Sequence, residues 1–370
     1  MNGTAHVWAV AGGGTGGHVT PALALAERFR ARGDEVFLLG SPHGLETRLV
    51  PEAGFELVTL PSRQVMGQGV ISRLRALVSI AAGCWVARGV LRARRARMVV
   101  SVGGYASVPA VVAAASLRIP VALVEPNARP GRANRLLARV ASRLFVHFDE
   151  AAVTLSRGDD DRRLQHAGIP LRRALVDAFS GGAARRTPGS LLHLLVFGGS
   201  QGARQINEAM MEAAQLLPAD RLVVVHQSGE ADRERVAAAY AAAGLDAEVV
   251  SFEPDMPSRY RSADLAICRS GALTVAELAM AGLPALLVPY PHAADDHQTA
   301  NARALAEAGA ARVLAGRPLS VPELVGEIQR LADAPQTLVA MGQAAAKLAR
   351  PDAAERIVEA CVALCDGGRG

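Results

Sequence analysis

Residues 6–18 read His-Val-Trp-Ala-Val-Ala-Gly-Gly-Gly-Thr-Gly-Gly-His, and residues 191–202 read Leu-Leu-His-Leu-Leu-Val-Phe-Gly-Gly-Ser-Gln-Gly. Each is an apolar run of strand length that ends in a cluster of glycines. A helical stretch and another apolar run follow each cluster. After the first, the spacing predicts a strand over His6–Ala11, the turn Gly12–Gly17, a helix from about Thr20 with Pro21 in its first turn, a stop at Gly33 and a second strand over Glu35–Leu39. After the second it predicts a strand over Leu191–Phe197, the turn Gly198–Gly202, a helix over Ala203–Leu217 and a strand over Leu222–His226. Continuous apolar runs without alternation are the mark of parallel strands covered on both faces. The fold class is therefore α/β, with two doubly wound halves facing each other across a cleft. The domains are expected at 1–165 and 191–349, joined by a linker over 166–190. Within that linker Asp177–Ser190 has no hydrophobic period. The last helix, about 350–370, is expected to pack back on the first domain.

A chain of 370 residues suits two such domains, and half of it is hydrophobic, so large cores are available. Lys347 is the only lysine, and alanine, glycine and arginine are abundant. That pattern fits a coding bias, so the net charge of +5 is no argument for nucleic-acid binding. Arg73, Arg75, Arg88, Arg92, Arg94, Arg95 and Arg97 crowd around the uncharged stretch Ala76–Ala87. Such a segment can lie on an anionic membrane surface, or it can be a solvated helix with one buried face. Met98–Leu117 is uncharged but contains Gly103-Gly104 and Pro109, which predicts strand, turn and helix rather than a span. Cys84, Cys268, Cys361 and Cys365 form no CxxC pair and read as reduced thiols. The N-terminus enters a strand at once, so no signal peptide is expected.

Gly12-x-Gly14-x-x-Gly17 fits a dinucleotide fingerprint, but the acid that should close the second strand is missing from Leu38-Leu39-Gly40-Ser41. An NAD(P) oxidoreductase is thereby weakened. What remains is a backbone that can approach a ligand closely beside a helix N-terminus. His18 would lie in the first helical turn, where the dipole favours neutral imidazole, so it can serve as a general base or simply pack locally. Asp264–Cys268 predicts a strand, followed by Arg269-Ser270-Gly271-Ala272-Leu273-Thr274 and a helix bearing Glu277. Thr274-x-x-Glu277 can be a capping box, or Glu277 can accept both hydroxyls of a ribose. The polar loop Pro291–Asn301 can bind sugar hydroxyls or start a helix capped by Asp295 or Asp296. Asp159-Asp160-Asp161 contains a D-x-D, yet no strand precedes it, and it reads as a solvated loop.

Taken in order, Gly13–His18, Gly103-Gly104-Tyr105, Glu125-Pro126-Asn127, Gly168–Arg172, Gly198–Arg204, Arg269–Glu277 and His297–Asn301 resemble one family. It is the peptidoglycan glycosyltransferase family that adds N-acetylglucosamine to undecaprenyl-diphosphate-linked muramyl-pentapeptide, converting lipid I to lipid II. The resemblance implies the GT-B fold of two Rossmann-like domains, no metal and no cofactor, and an inverting transfer from UDP-N-acetylglucosamine that serves cell-wall growth, cell shape and division. It also implies a peripheral place on the cytoplasmic face of the inner membrane. Carried over position by position, it puts Thr15, Gly16 and Gly17 near donor sugar and acceptor diphosphate, and His18 as the base. Gly103, Gly104 and Tyr105 fall on the acceptor side, and Asn127 on the donor sugar. Arg172 and Ser200 lie near the donor diphosphate, the backbone at Glu253 meets uracil, and Ala272, Leu273 and Thr274 hold phosphate. Glu277 takes the ribose and Gln298 the sugar hydroxyls. The chain departs from the family's usual His-Glu-Gln-Asn at Val124-Glu125-Pro126-Asn127, and from Gly-Asn-Pro-Val-Arg at Gly168-Ile169-Pro170-Leu171-Arg172. A sugar-nucleotide epimerase of similar fold, which needs no lipid acceptor, is the other reading.

Overall fold

Alternate residues of the first strand leave for opposite sides of one sheet. Trp8 and Val10 join a core with Val19, Leu23, Phe29 and Ile357, whereas Ala9 and Ala11 join a second core with Ala87, Leu91, Ala110 and Val111. Both faces are thus covered, which is why the strand reads as an unbroken apolar run. The computed structural model describes residues 6–62, 70–158, 160–180, 186–199 and 202–367, with side chains of the long helix from residue 76 onward.

The chain divides into two compact units, Met1–Arg173 with Arg350–Gly370, and Ala174–Ala349. In the first, β1 (Val7–Gly12), β2 (Glu35–Gly40), β3 (Glu56–Thr59), β4 (Met98–Gly103), β5 (Val121–Glu125), β6 (Arg143–Val146) and β7 (Leu164–His166) form one sheet in the order β3-β2-β1-β4-β5-β6-β7. In the second, β8 (Leu192–Phe197), β9 (Leu222–Gln227), β10 (Asp246–Val250), β11 (Leu265–Cys268), β12 (Ala285–Leu287) and β13 (Ala311–Val313) form a sheet in the order β10-β9-β8-β11-β12-β13. All pairings are parallel. Each order reverses once, between β1 and β4 and between β8 and β11. Loops leaving those neighbouring strands diverge and open a crevice at their carboxyl ends, where ligands of such sheets bind.

Three expectations change. The first helix is Gly16–Ala31, so it begins within the glycine turn rather than near Thr20, and Pro21 lies inside it rather than in its first turn. Backbone bonds from His18 and Val19 to the Thr15 carbonyl close that first turn, so two glycines serve as helix. Part of the expected linker, Arg173–Ser180, is a helix. Leu175 is its single buried side chain. The Thr274–Glu277 capping box does not form: the helix is Ala272–Ala281, with Gly271 as its N-cap and no side-chain cap. The last helix, Ala353–Gly367, places Ile357, Val358, Cys361 and Cys365 in the core beside Trp8. All four cysteines are free thiols.

Candidate functional site

In the first unit, the loops after β1, β4 and β5 carry the expected residues. Gly103 and Gly104 have φ of 97° and 82°, a region that L side chains avoid. The space there is also closed, because a Cβ on Gly104 would sit 2.7 Å from the Gly13 carbonyl oxygen. One on Gly103 would lie 3.0 Å from Asn134 Nδ2 and 3.4 Å from His18 Cδ2. The glycine pair therefore lets two loops close around His18. Tyr105 reaches the turn from the same side, since a Cβ on Gly14 would lie 3.1 Å from its ring. His18 Nδ1 is 3.0 Å from Thr15 Oγ1. With the proton on Nδ1 and donated to Thr15, the acceptor lone pair lies on Nε2, the state a base needs.

Glu125 ends β5 and is buried. Its carboxylate accepts from Asn127 N (3.0 Å), Asn127 Nδ2 (3.2 Å), Gly131 N (3.3 Å) and Asn134 Nδ2 (2.8 Å). Burial pushes its pKa above the usual carboxylate range, and those donors pull against the shift. Glu125 thus orients Asn127, and through Asn134 it reaches the wall beside Gly103 and His18. Arg172 is held in this unit too, 2.6 Å from Glu27 on the Gly16–Ala31 helix. Asp161 accepts from the Arg163 side chain and from the backbone of Arg157 and Arg163, which hold its carboxyl well below its ordinary range. It is an internally paired loop residue. Among the described residues no group of three His, Cys, Asp or Glu side chains is placed to hold a metal ion.

The second unit holds a cavity of about 930 Å³ at its switch point. Gly198, Gly202, Ala203 and Gln205 line it from the β8 side. Arg269, Gly271, Thr274, Tyr290, His292 and Gln298 line it from the β11 and β12 sides. Gly202 is in the tightest place, since a Cβ there would lie 1.9 Å from the Ser228 carbonyl oxygen. Ala272, Leu273 and Thr274 form the first turn of a helix without a side-chain cap, so their N–H groups are the donors an anion would meet. Ser200 lies outside the described residues. Gln298 accepts from Tyr290 N at its carboxamide oxygen (2.8 Å), and its backbone carbonyl accepts from Ser270 Oγ (2.8 Å). Asp296 is the N-cap residue of the His297–Glu307 helix, but its carboxylate accepts from Thr299 Oγ1 instead of capping the backbone.

Glu277, five residues into the Ala272–Ala281 helix, accepts from the buried Tyr260 hydroxyl at 2.7 Å. Burial pushes its pKa up to about 7, and the Tyr260 bond opposes that. Glu253 turns its side chain to Arg259 Nε (2.6 Å) and to Asp255 N (2.8 Å), which leaves its backbone as the part a ligand could use.

Sequence reasoning did not single out Arg269 or Gln205. Arg269 Nη1 donates to Gln205 Oε1 (2.9 Å), Val288 O (3.1 Å) and Pro289 O (3.1 Å), and the guanidinium lies over the Tyr290 ring. All of these partners are neutral. Burial lowers its pKa, so the charge is held in the cavity wall at a cost that a bound anion would offset. The run Arg269-Ser270-Gly271 carried the signal, but only tertiary contact shows that its hydrogen-bond partners among the described residues are neutral.

The Glycosyltransferase family 28 N-terminal domain matches residues 8–146, and the Glycosyltransferase family 28 C-terminal domain matches residues 193–357. A curated relative from Geobacter sulfurreducens, a UDP-N-acetylglucosamine--N-acetylmuramyl-(pentapeptide) pyrophosphoryl-undecaprenol N-acetylglucosamine transferase, is 42% identical over 96% of this chain and 97% of its own. The chain belongs to this transferase family. The crystal structure of Acinetobacter baumannii MurG matches 97% of the chain and 99% of its own, at 32% identity and a TM-score of 0.78. A putative UDP-N-acetylglucosamine 2-epimerase from Listeria monocytogenes covers 98% of each chain with a TM-score of 0.70, but at 16% identity it shares only the fold. Family membership therefore sets the epimerase and oxidoreductase readings aside.

Proposed function

We propose that this protein transfers N-acetylglucosamine from its UDP carrier to the C4 hydroxyl of lipid-linked muramyl-pentapeptide, forming a β1→4 bond with inversion. The observation that carries the reading is the second unit's cavity. There Arg269, held by neutral groups, and the uncapped helix start at Gly271–Thr274 line one cavity, and the same helix carries the Glu277 carboxylate, which accepts from Tyr260. That set fits a nucleoside diphosphate. Uracil would meet the backbone at Glu253, ribose Glu277, and diphosphate the Ala272–Thr274 turn with Ser200 and Arg269. Arg172 pairs with Glu27 through Nη2, and its further N–H donors would serve a diphosphate oxygen. Gln298 and Asn127 would hold sugar hydroxyls. In the first unit, Gly16 and Gly17 open a helix toward the acceptor diphosphate, with Gly103, Gly104 and Tyr105 beside it. His18 Nε2 takes the proton from the attacking hydroxyl as the sugar–phosphate bond breaks, and donors fixed in place stabilise the leaving UDP without reorganisation. The test is transfer of labelled N-acetylglucosamine to a short-chain lipid I analogue, with and without chelator. Sugar epimerised without acceptor, and no transfer, would sink the proposal.

The same reading places the chain on the cytoplasmic face of the inner membrane. Support comes from the helix Val70–Ala93, whose stretch Ala76–Ala93 is apolar and long enough to span a bilayer. The helix is seated on the first unit instead. Ala76, Ala87 and Leu91 are buried, and a Cβ on Gly83 would lie 2.2 Å from the Pro61 carbonyl. Its other face exposes Leu77, Val78 and Trp85, the last by 80%. Beside it Arg88, Arg92, Arg95 and Arg118 line a cavity of about 690 Å³. Apolar groups that insert and arginines that meet headgroups suit peripheral binding. Trp85→Glu should abolish binding to vesicles containing anionic lipid, and salt should weaken binding of the parent chain. Equal binding to neutral vesicles would remove the reading.

A further inference from the structure

Glu46 opens a short helix, Glu46–Glu52, after β2, and its side chain is fully buried. A carboxylate in such a place must be compensated. Oε1 accepts from Ser41 N at 2.8 Å and Ser41 Oγ at 2.6 Å, and Oε2 accepts from Gly14 N at 2.9 Å. None of these donors is a cation. The surrounding backbone is moulded to this group. A Cβ on Gly13 would lie 2.3 Å from Oε1, and one on Gly44 would lie 2.0 Å from Oε2. Neither position tolerates a larger residue while the carboxylate stays.

We propose that Glu46 is a positioning residue of the transferase: it fixes Gly14, and through Gly14 it sets the Thr15–His18 pair at the start of the following helix. The inference rests on His18 as the base. Gly14 N–H is committed to a side chain, so the turn does not offer that donor to a ligand. A buried negative charge at this turn would also weaken rather than aid an incoming diphosphate, so the role of Glu46 is geometric. The chemistry of the contact is specific. All three partners are donors, so both ends of the side chain must be acceptors. Glutamine has the same shape but only one acceptor end. If its oxygen keeps the two Ser41 donors, its amide nitrogen confronts Gly14 N–H, and the turn is released.

The test is Glu46→Gln in the full-length protein, assayed with a short-chain lipid I analogue. Displacing a reacting group by about 1 Å costs up to about 100-fold, so kcat should fall about 10–100-fold. UDP affinity, to which Glu46 and the turn it holds contribute no contact in this reading, should stay within about twofold, and the NMR titration of His18 should shift. Ser41→Ala removes one of two donors on Oε1 and spares the Gly14 bond, so its kcat should stay close to the parent's. If Glu46→Gln does not fold, Glu46→Asp keeps both acceptors but withdraws by one methylene, and it should show the same pattern more mildly. Parental kcat and an unmoved His18 titration in either folded variant overturn the proposal. So does a kcat loss matched by an equal loss of UDP affinity. A wild-type-like Glu46→Gln beside an inactive His18→Ala would refute the positioning role alone, whereas an active His18→Ala would refute the base.

Discussion

Replacing Glu277 by glutamine should stabilise the protein at pH 8 and barely change it at pH 4.5. Burial raises the Glu277 pKa from 4.5 to about 7. The folded chain therefore keeps this proton to higher pH than the unfolded chain does. Stability falls as pH rises from about 4.5 to about 7, and the loss is complete above that window. With those two values, the ionised carboxylate costs the folded state well under about 1 kcal/mol at pH 4.5 and roughly 3 kcal/mol at pH 8. Glutamine carries no charge, and its oxygen can still accept from Tyr260. The gain at pH 8 should then be about 2–3 kcal/mol, seen as a higher urea midpoint by far-ultraviolet circular dichroism. Both tryptophans, Trp8 and Trp85, belong to the first unit, so tryptophan fluorescence should report an unchanged transition. UDP affinity should drop in the same variant. An equal gain at both pH values, or a loss at pH 8, would show that burial does not set the state of Glu277. The predicted gain would mark a carboxylate kept at a cost in stability, as expected of a ligand-binding group.

Other outcomes follow from the same geometry. His18→Ala should lower kcat by about 10²–10⁴-fold with UDP binding intact, and near-parental turnover would dismiss it as the base. Gly104→Ala adds a Cβ 2.7 Å from the Gly13 carbonyl at φ 82°, and should destabilise the first unit by roughly 1–3 kcal/mol in tryptophan-monitored urea unfolding. An unchanged midpoint would mean that the two loops are not in contact. Arg269→Ala should weaken UDP by roughly 1.5–3 kcal/mol and leave uridine binding nearly unchanged, since its donors face the charged part of the ligand. A parallel loss for uridine in calorimetry would place the arginine elsewhere.

Much of the fold was legible because buried parallel strands announce themselves. Leu192–Phe197 has no polar face to alternate with, and the glycines that follow β1, β4 and β8 mark where backbone meets backbone. The amino-acid sequence by itself determined the order of elements, the two repeated glycine turns and the family. It also singled out His18, Asn127 and Glu277 as residues with chemistry. It could not place the start of the first helix. Gly16 and Gly17 have poor helix propensity, and backbone bonds to Thr15 in a packed turn override it. Nor could it reject the Thr274–Glu277 capping box, because the helix begins at Ala272 after Gly271 and Glu277 accepts instead from Tyr260 on another helix. Glu46 lies 32 residues from the turn it holds, and Arg172 meets Glu27 from the far end of its unit. Local patterns report whether a side chain is covered. Which polar group covers it, and hence its charge and its role, depends on contacts that exist only once the sheets have assembled.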